Sequence, residues 1–220
     1  SSNATVDQEI TNRLMPKFDS LYELGVREFG IFMDDITIGE GLQQKYTQPY
    51  LIDQVQKRLY ATYNTPEAKE EDKVKPLFYT PTWYTYGLGY ADMQNQCMEA
   101  FKQSNVHEDV VICFTGDAVC GPINNSSCEN FATRTGRKPC IWWNYPVNDY
   151  SDAQLFTDRI DANFSVSTDT TECVGVLSNP MNQAEASRIA FFGVADFAWN
   201  TANFDSQQNW EDCFPYLATE

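Results

Sequence analysis

The sequence predicts an α/β protein built on a parallel sheet. Five short apolar runs alternate along the chain with segments of helical periodicity, and each run leads into polar or aromatic residues. Runs of this length are too short for helices and are typical of buried parallel strands. Strands that alternate with helices favour a parallel sheet with helices packed against it. The predicted strands are 29–33, 77–79, 110–114, 140–143 and 174–177.

Helices are predicted between these strands. Apolar residues recur every three or four positions from Ile10 to Leu24, as on a helix with one buried face, and Gly25 ends the pattern. The remaining predicted elements are helices over 41–63, 89–103 and 183–199 and a polar surface loop over 64–75.

Two parallel architectures fit this pattern. A five-stranded doubly wound sheet matches the number of strands, whereas a (β/α)8 barrel normally has eight strands and about 250 residues. Both architectures place functional residues at the carboxyl ends of their strands. The residues found there, which are the first candidates for a functional site, are Asp34, Asp35, Tyr84, Asp117, Trp142, Asn144 and Asn179.

The composition predicts an acidic globular chain. The 220 residues include 15 Lys and Arg against 31 Asp and Glu, a formal net charge of −16, so nucleic acid and anionic lipid headgroups are not expected as partners. With 42% hydrophobic residues, the chain can form a core. No run approaches the roughly 18 apolar residues that a membrane span needs. Residues 1–4 carry no signal-peptide pattern and are interpreted as a cloning scar.

The seven cysteines are an odd number and form no closely spaced pairs of the kind found in zinc or redox sites. Most are therefore expected to be buried thiols. Cys120 and Cys128 flank a polar loop and could pair in an oxidising compartment.

Asp34 and Asp35 directly follow the first predicted strand. Adjacent carboxylates repel, so one can hold a proton near neutral pH while the other stays charged, and this division suits general acid and base catalysis. Two other interpretations remain open from these residues alone. The pair could cap a helix or face solvent, or it could bind Mg²⁺ with water molecules, as in a doubly wound receiver domain.

Aromatic residues are concentrated after two of the predicted strands. Rings that carry polar groups, placed beside carboxylates and amides, are typical of sugar-binding clefts. A single ring more often fills a core, but the grouping at strand ends predicts a ligand site. The residues are Trp83, Tyr84, Tyr86, Trp142, Trp143 and Tyr145.

Segments 29–36, 141–150 and 175–181 resemble the catalytic domain of glycoside hydrolase family 84. That family contains β-N-acetylglucosaminidases, including O-GlcNAcases and bacterial enzymes called hyaluronidases. The resemblance, which runs from about residue 12 to residue 212, implies an incomplete (β/α)8 TIM barrel that contains about the last five strands. Residues 5–220 would then be the C-terminal part of a catalytic barrel.

The resemblance implies that Asp34 and Asp35 are the catalytic pair of a substrate-assisted retaining mechanism. The 2-acetamido oxygen of the sugar would attack the anomeric carbon to form an oxazoline, an exception to attack by an enzyme carboxylate. Asp34 would orient the acetamido group, and Asp35 would act as general acid and then general base, a role that calls for a raised pKa.

The resemblance also implies the residues that bind substrate, namely N-acetylglucosamine-containing glycans or glycoproteins. Tyr84 would hydrogen-bond the reacting acetamido group, and Trp142 and Asn144 would line its pocket. Asp149 and Asn179 match positions that bind sugar hydroxyls. Neither a cofactor nor a metal is implied.

Two departures from the family pattern affect these expectations. Residues 114–117 read Phe-Thr-Gly-Asp where family members commonly have Trp-Thr-Gly-Pro, so Asp117 could change which aglycone is accepted. The family's first strands, with their sugar-binding glycine and lysine, would lie before residue 1. The fragment is therefore expected to be weakly active or inactive, and a non-catalytic glycan-binding remnant is the alternative.

An incomplete barrel would expose the edges of its sheet, which predicts an open sheet or self-association through those edges. Family members occur both as exported bacterial enzymes and as nuclear and cytoplasmic animal ones. An extracellular or cell-surface bacterial location is expected here.

Overall fold

The computed structural model describes residues 2–151, 154–163 and 172–218, and it confirms the alternation of strands and helices. The chain divides into two compact units. The first unit contains Ser1–Tyr84, Gly89–Cys113 and Arg134–Gly136, and the second contains Thr85–Leu88, Phe114–Thr133 and Arg137–Glu220.

Each predicted strand is present, with ends that shift by no more than a few residues. The strands are β1 (Gly30–Phe32), β2 (Phe78–Thr80), β3 (Val111–Phe114), β4 (Cys140–Trp143) and β5 (Gly175–Ser178).

Strand pairing is parallel in both units. In the first unit β2 lies between β1 and β3, with Ile31 opposite Tyr79 and Tyr79 opposite Ile112. In the second unit β4 pairs with β5 from Cys140 opposite Gly175 onward. A doubly wound receiver sheet would place β1 between β2 and β3. The observed order excludes that alternative for the first unit.

The described residues also form helices of very different lengths. A π-helical segment, Ile10–Leu14, joins the first two, and the short 3-10 turns are Glu70–Asp72, Tyr86–Leu88 and Thr201–Asn203. The α-helices are α1 (Asn3–Glu9), α2 (Met15–Glu23), α3 (Ile38–Gln43), α4 (Thr47–Tyr63), α5 (Ala91–Gln103), α6 (Asn125–Thr135), α7 (Ile160–Asn163), α8 (Ala184–Trp199) and α9 (Ser206–Leu217).

The predicted helices over 89–103 and 183–199 are confirmed as α5 and α8, and Gly25 ends the first helical region with φ +96°. The helix predicted over 41–63 is wrong in one respect, because α3 and α4 are separate. Pro49 lies in the first turn of α4, where its missing N–H is harmless. In an uninterrupted helix its ring would clash with the carbonyl of Lys45.

Helices α6 and α9 were not predicted. Helix α6 is rich in Ser, Thr and Asn, and α9 contains Pro215, so neither shows a clean apolar period. A local signal does exist for α9, because Asp205 accepts hydrogen bonds from the backbone N–H groups of Gln207 and Gln208, both at 3.0 Å. This is the geometry of an N-cap.

Each unit has its own core. In the first, Phe101 of α5 packs against Tyr79 and Trp83, with ring centroids 6.3 and 5.9 Å away. In the second, Trp143 packs against Tyr145 and against Phe197 of α8, with centroids 5.2 and 6.2 Å away. These contacts fix the strands whose carboxyl ends carry the candidate site.

All seven cysteines are free thiols, including Cys120 and Cys128. No helix within the described residues is long and apolar enough to cross a membrane. Phe32 in β1 is 51% exposed. Self-association through sheet edges stays a prediction.

Helix α3 offers a matched pair of glycine substitutions. A Cβ at Gly41 would lie 2.5 Å from Cγ2 and 2.6 Å from Oγ1 of Thr82, whereas a Cβ at Gly39 meets nothing within 4 Å. Gly41→Ala should therefore lower the free energy of unfolding by about 1–3 kcal/mol through overpacking. Gly39→Ala should raise it by up to about 1 kcal/mol through helix propensity. Urea unfolding of both variants measures this, and equal effects would contradict the tight packing at Gly41.

Candidate functional site

Asp34 and Asp35 occupy the turn that follows β1. The backbone N–H of Met33 donates to the carbonyl of Thr80 at 2.8 Å, so pairing with β2 continues up to the residue before the pair. The side chain of Asp34 is partly buried, and that of Asp35 is exposed. The two carboxylates are thus held at the carboxyl end of a parallel strand but in different solvent environments.

Burial raises the pKa of Asp34, and the negative charge of Asp35 raises it further. A hydrogen bond from the backbone N–H of Asp34 itself opposes both effects and lowers this pKa. The neutral form of Asp34 is thus favoured relative to an exposed carboxyl group. A proton is thus favoured on Asp34, the member of the pair to which the resemblance assigns the orienting role and not the general-acid role.

Tyr84 follows β2, the strand that pairs with β1. Pro81, Thr82 and Trp83 are buried, and Tyr84 is the first residue of this segment to reach the surface. Asp34, Asp35 and Tyr84 therefore all lie in the first unit, just beyond the carboxyl ends of neighbouring parallel strands.

In the second unit, Trp142, Asn144 and Asn179 form one hydrogen-bonded group. The Oδ1 atom of Asn144 accepts from Nε1 of Trp142 at 3.0 Å and from Nδ2 of Asn179 at 2.9 Å. The Nδ2 atom of Asn144 donates to the carbonyl of Val119 at 2.7 Å. The carboxamide of Asn144 is therefore fixed in one orientation.

Asp149 lies further along the loop after β4 and is exposed. Burial raises the pKa of the Cys120 thiol, and the negative charge of Asp149 raises it further. Asn148, which precedes Asp149, is buried and donates to the carbonyl of Gln154 at 2.8 Å and to Oε1 of Gln183 at 3.0 Å. The loop is thus anchored immediately before this carboxylate.

Asp117, the residue that departs from the family pattern, is exposed in the loop after β3. Its carboxylate accepts a long hydrogen bond of 3.5 Å from Nδ2 of Asn124.

The prediction that the aromatic residues form one ligand site is wrong for half of them. Trp83, Trp143 and Tyr145 are no more than 2% exposed and belong to the cores. Tyr84 and Trp142 are partly exposed. Adjacent residues of a strand point to opposite faces, so Trp142 and Trp143 cannot both face one ligand.

Sequence reasoning missed Gln48 and Thr82, which support the turn that carries Asp34. Thr82 donates from Oγ1 to the carbonyl of Met33 at 2.8 Å and is completely buried. Gln48 is 2% exposed on the buried face of α4. A glutamine on the apolar face of a helix is the signal that could have indicated such a role.

A profile of the family NAGidase, described as beta-N-acetylglucosaminidase, matches residues 3–220. Among solved structures, CpGH84D is similar with a TM-score of 0.78 and 30% sequence identity over 92% of this chain and 31% of that chain. CpGH84B is similar with a TM-score of 0.74 and 27% identity over 94% of this chain and 34% of that chain.

A mutant of the Thermobaculum terrenum O-GlcNAc hydrolase has a TM-score of 0.77 at 23% identity, over 98% of this chain and 44% of that chain, and shows similarity of fold. This chain therefore spans less than half the length of each of these structures. They are TIM barrels of glycoside hydrolase family 84, which confirms the predicted (β/α)8 fold class, with this chain as a part of such a barrel.

Asp34→Asn should stabilise the fold more at neutral pH than in acid. Below the ordinary pKa of 3.8 the carboxyl group is neutral both folded and unfolded, so its burial has little cost. As the pH rises through the unfolded-state pKa and then the raised folded-state pKa, the charged group destabilises the parent protein. Urea unfolding at about pH 3 and about pH 7 should show a gain that grows with pH. Asp92→Asn, in the exposed first turn of α5, is the control, and a pH-independent gain at Asp34 would contradict the prediction.

Asn144→Asp should lower the free energy of unfolding by about 0.5–1.5 kcal/mol, because a carboxylate oxygen would replace the amide nitrogen that donates to its partner carbonyl. In this protein the partner is the carbonyl of Val119. Thermal and urea unfolding measure the loss. Asn12→Asp makes the same change at an exposed position and should stay within about 0.5 kcal/mol. Equal losses in both variants would show that the contact with Val119 contributes nothing specific.

Proposed function

We propose that this chain, which belongs to the NAGidase family of β-N-acetylglucosaminidases, forms part of a glycoside hydrolase that removes terminal β-linked N-acetylglucosamine. The observation that carries the proposal is the position of the carboxyl pair, with Asp34 and Asp35 just beyond β1 and Tyr84 just beyond the neighbouring strand β2. Barrels of this class carry their catalytic residues at the carboxyl ends of their strands.

In the proposed mechanism the substrate supplies its own nucleophile. The acetamido oxygen attacks the anomeric carbon, the bond from that carbon to the leaving oxygen breaks, and Asp35 gives its proton to the leaving oxygen. The oxazoline forms in its N-protonated state, and its N–H would donate a hydrogen bond to the carboxylate of Asp34. Water then attacks the anomeric carbon and gives a proton to Asp35, which opens the oxazoline and restores the acetamido group with retention of configuration.

The remaining predicted residues would bind the sugar. Tyr84, beyond the neighbouring strand, would hydrogen-bond the acetamido group. In the second unit, Trp142 offers a partly exposed ring, and Asn144, held by Trp142 and Asn179, would bind the sugar beside this ring. Asp149 would accept hydrogen bonds from sugar hydroxyls, and so would Asn179 through Oδ1, because its Nδ2 is already directed to Asn144.

The net charge of −16 favours neutral glycan ends over polyanions as substrates. Fields of like sign slow the encounter of two charged partners. Glycans and glycoproteins with terminal N-acetylglucosamine fit this constraint better than an acidic polysaccharide does.

Asp35→Asn should reduce kcat for an aryl β-N-acetylglucosaminide by about 10²–10⁴-fold, since the variant lacks the general acid and base. The loss should be smallest with a good leaving group such as nitrophenolate, which needs little protonation. Hydrolysis is followed for a series of aryl leaving groups, with inhibition by an oxazoline-mimicking thiazoline as a second readout. Asp92→Asn is the matched exposed substitution and should leave kcat unchanged.

The general-acid role is read from kcat/KM, which reports the steps up to cleavage of the glycosidic bond, and a loss of kcat/KM in Asp35→Asn that does not depend on the leaving group would contradict it. Binding of the thiazoline without hydrolysis, by this chain and by a form extended at its N terminus, would instead indicate a glycan-binding remnant. The design thus separates an enzyme from a binding module.

A further inference from the structure

The main chain immediately before Asp34 is held at both polar atoms of Met33. The carbonyl of Met33 accepts a hydrogen bond of 2.8 Å from Oγ1 of Thr82. Its N–H donates to the carbonyl of Thr80, also at 2.8 Å. The hydroxyl of Thr82 therefore holds the planar peptide that leads into Asp34.

A directed series of hydrogen bonds fixes the hydroxyl of Thr82. The Nε2 atom of Gln48 donates to Oγ1 of Thr82 at 2.9 Å and to the carbonyl of Gly41 at 3.3 Å. The Oε1 atom of Gln48 accepts from the hydroxyl of Tyr79 at 2.8 Å. Because Oγ1 of Thr82 receives the amide N–H, its own hydrogen is free to point at the carbonyl of Met33. Every hydrogen bond of the series donates in the same direction, from Tyr79 to Gln48, then to Thr82 and then to the turn.

Burial makes this series stiff. Tyr79, Gln48 and Thr82 are 0%, 2% and 0% exposed, so water does not compete for these hydrogen bonds. Burial also raises the pKa of Tyr79 well above its ordinary value, which keeps its hydroxyl protonated and able to donate. Gly41 confines Thr82 from the side of α3, since even a Cβ there would lie 2.6 Å from Oγ1.

We propose that Thr82 is a positioning residue, which acts through the Met33–Asp34 peptide to fix the carboxylate of Asp34 for the reaction. The effect of Thr82 on the reaction rests on the proposed function, but its effect on the position of Asp34 does not. The contacts of Thr82 all lie within the first unit. A displacement of a reacting group by about 1 Å can lower the reaction rate by about 10²-fold.

The first test is the titration of Asp34 by carboxyl-carbon NMR, with the signal assigned from its loss in Asp34→Asn. Thr82→Val keeps the shape of the side chain and removes the hydroxyl. It should free the turn, let the carboxyl group of Asp34 move towards water and lower the pKa of Asp34 towards its ordinary value. Thr82→Ser keeps the hydroxyl and should restore the titration of the parent protein. An unchanged titration in Thr82→Val would overturn the inference.

Two further variants show whether the effect of Thr82→Val is specific or a general effect of substitution. Thr115→Val removes another buried threonine hydroxyl, one that donates to the carbonyl of Ala118 at 2.9 Å, and should leave the titration of Asp34 unchanged. An equal shift in this control would count against a specific role for Thr82. Tyr79→Phe removes the far donor of the series and should lower the pKa of Asp34 by less than Thr82→Val does, which keeps the inference testable if Thr82→Val does not fold.

Kinetics separate this inference from the proposed function. In the active protein, Thr82→Val should lower kcat by about tenfold with little change in KM, because ground-state sugar contacts are untouched, and Thr82→Ser should recover it. If the titration shifts as expected while neither this chain nor the form extended at its N terminus hydrolyses any aryl glycoside, the proposed function fails and the positioning role stands. If the parent protein is active but Thr82→Val changes neither the titration nor kcat, the positioning role fails alone.

Discussion

The partly buried carboxyl group of Asp34 is the constraint on which the arrangement of the first unit depends. Burial and the charge of Asp35 both disfavour its charged form, so a loose turn would relieve the cost by swinging the group into water. The turn is not loose, because both main-chain polar atoms of Met33 form hydrogen bonds with residues at the end of β2 and just beyond it. Its N–H donates to Thr80 and its carbonyl accepts from Thr82, each at 2.8 Å. The unfavourable environment of Asp34 is therefore maintained by the neighbouring strand.

In the second unit, other polar side chains hold the loops that follow the strands. Beyond the ends of β4 and β5, irregular backbone hydrogen bonds replace the regular ones of the sheet. One of them, of 2.9 Å, runs from the N–H of Asn179 to the carbonyl of Trp143. Ser178 donates from Oγ to the carbonyl of Tyr145 at 2.6 Å, and Asn144 donates to that of Val119. Loops that leave a parallel sheet lose their backbone partners, and short polar side chains supply new ones. Residues that look like ligand contacts in sequence thus also keep the loops in place.

The sequence predicts the strands well because each is a short apolar run, and the run 140–143 matches β4 at both ends. It predicts the position of the carboxyl pair for the same reason, since that pair directly follows such a run. The exposure of the aromatic residues was harder to predict, because composition does not distinguish the two faces of a strand. Alternation along the strand does separate Trp142 from Trp143. The position of Gln48 on the apolar face of α4 could have indicated a structural role, but its partner Thr82 could not be predicted, since the hydrogen bond joins residues 34 positions apart.

Local geometry and total charge act on different steps of the proposed reaction. The net charge of −16 is carried largely by surface carboxylates, and at physiological ionic strength their influence decays over about 8 Å. The pKa of Asp34 is set within that range, by burial, by its own backbone N–H and by Asp35. The chemistry of the carboxyl pair is therefore a property of the turn after β1 and of its support from β2. The overall charge acts earlier, on the approach of a substrate, where it discriminates against anionic glycans and leaves neutral ones unaffected.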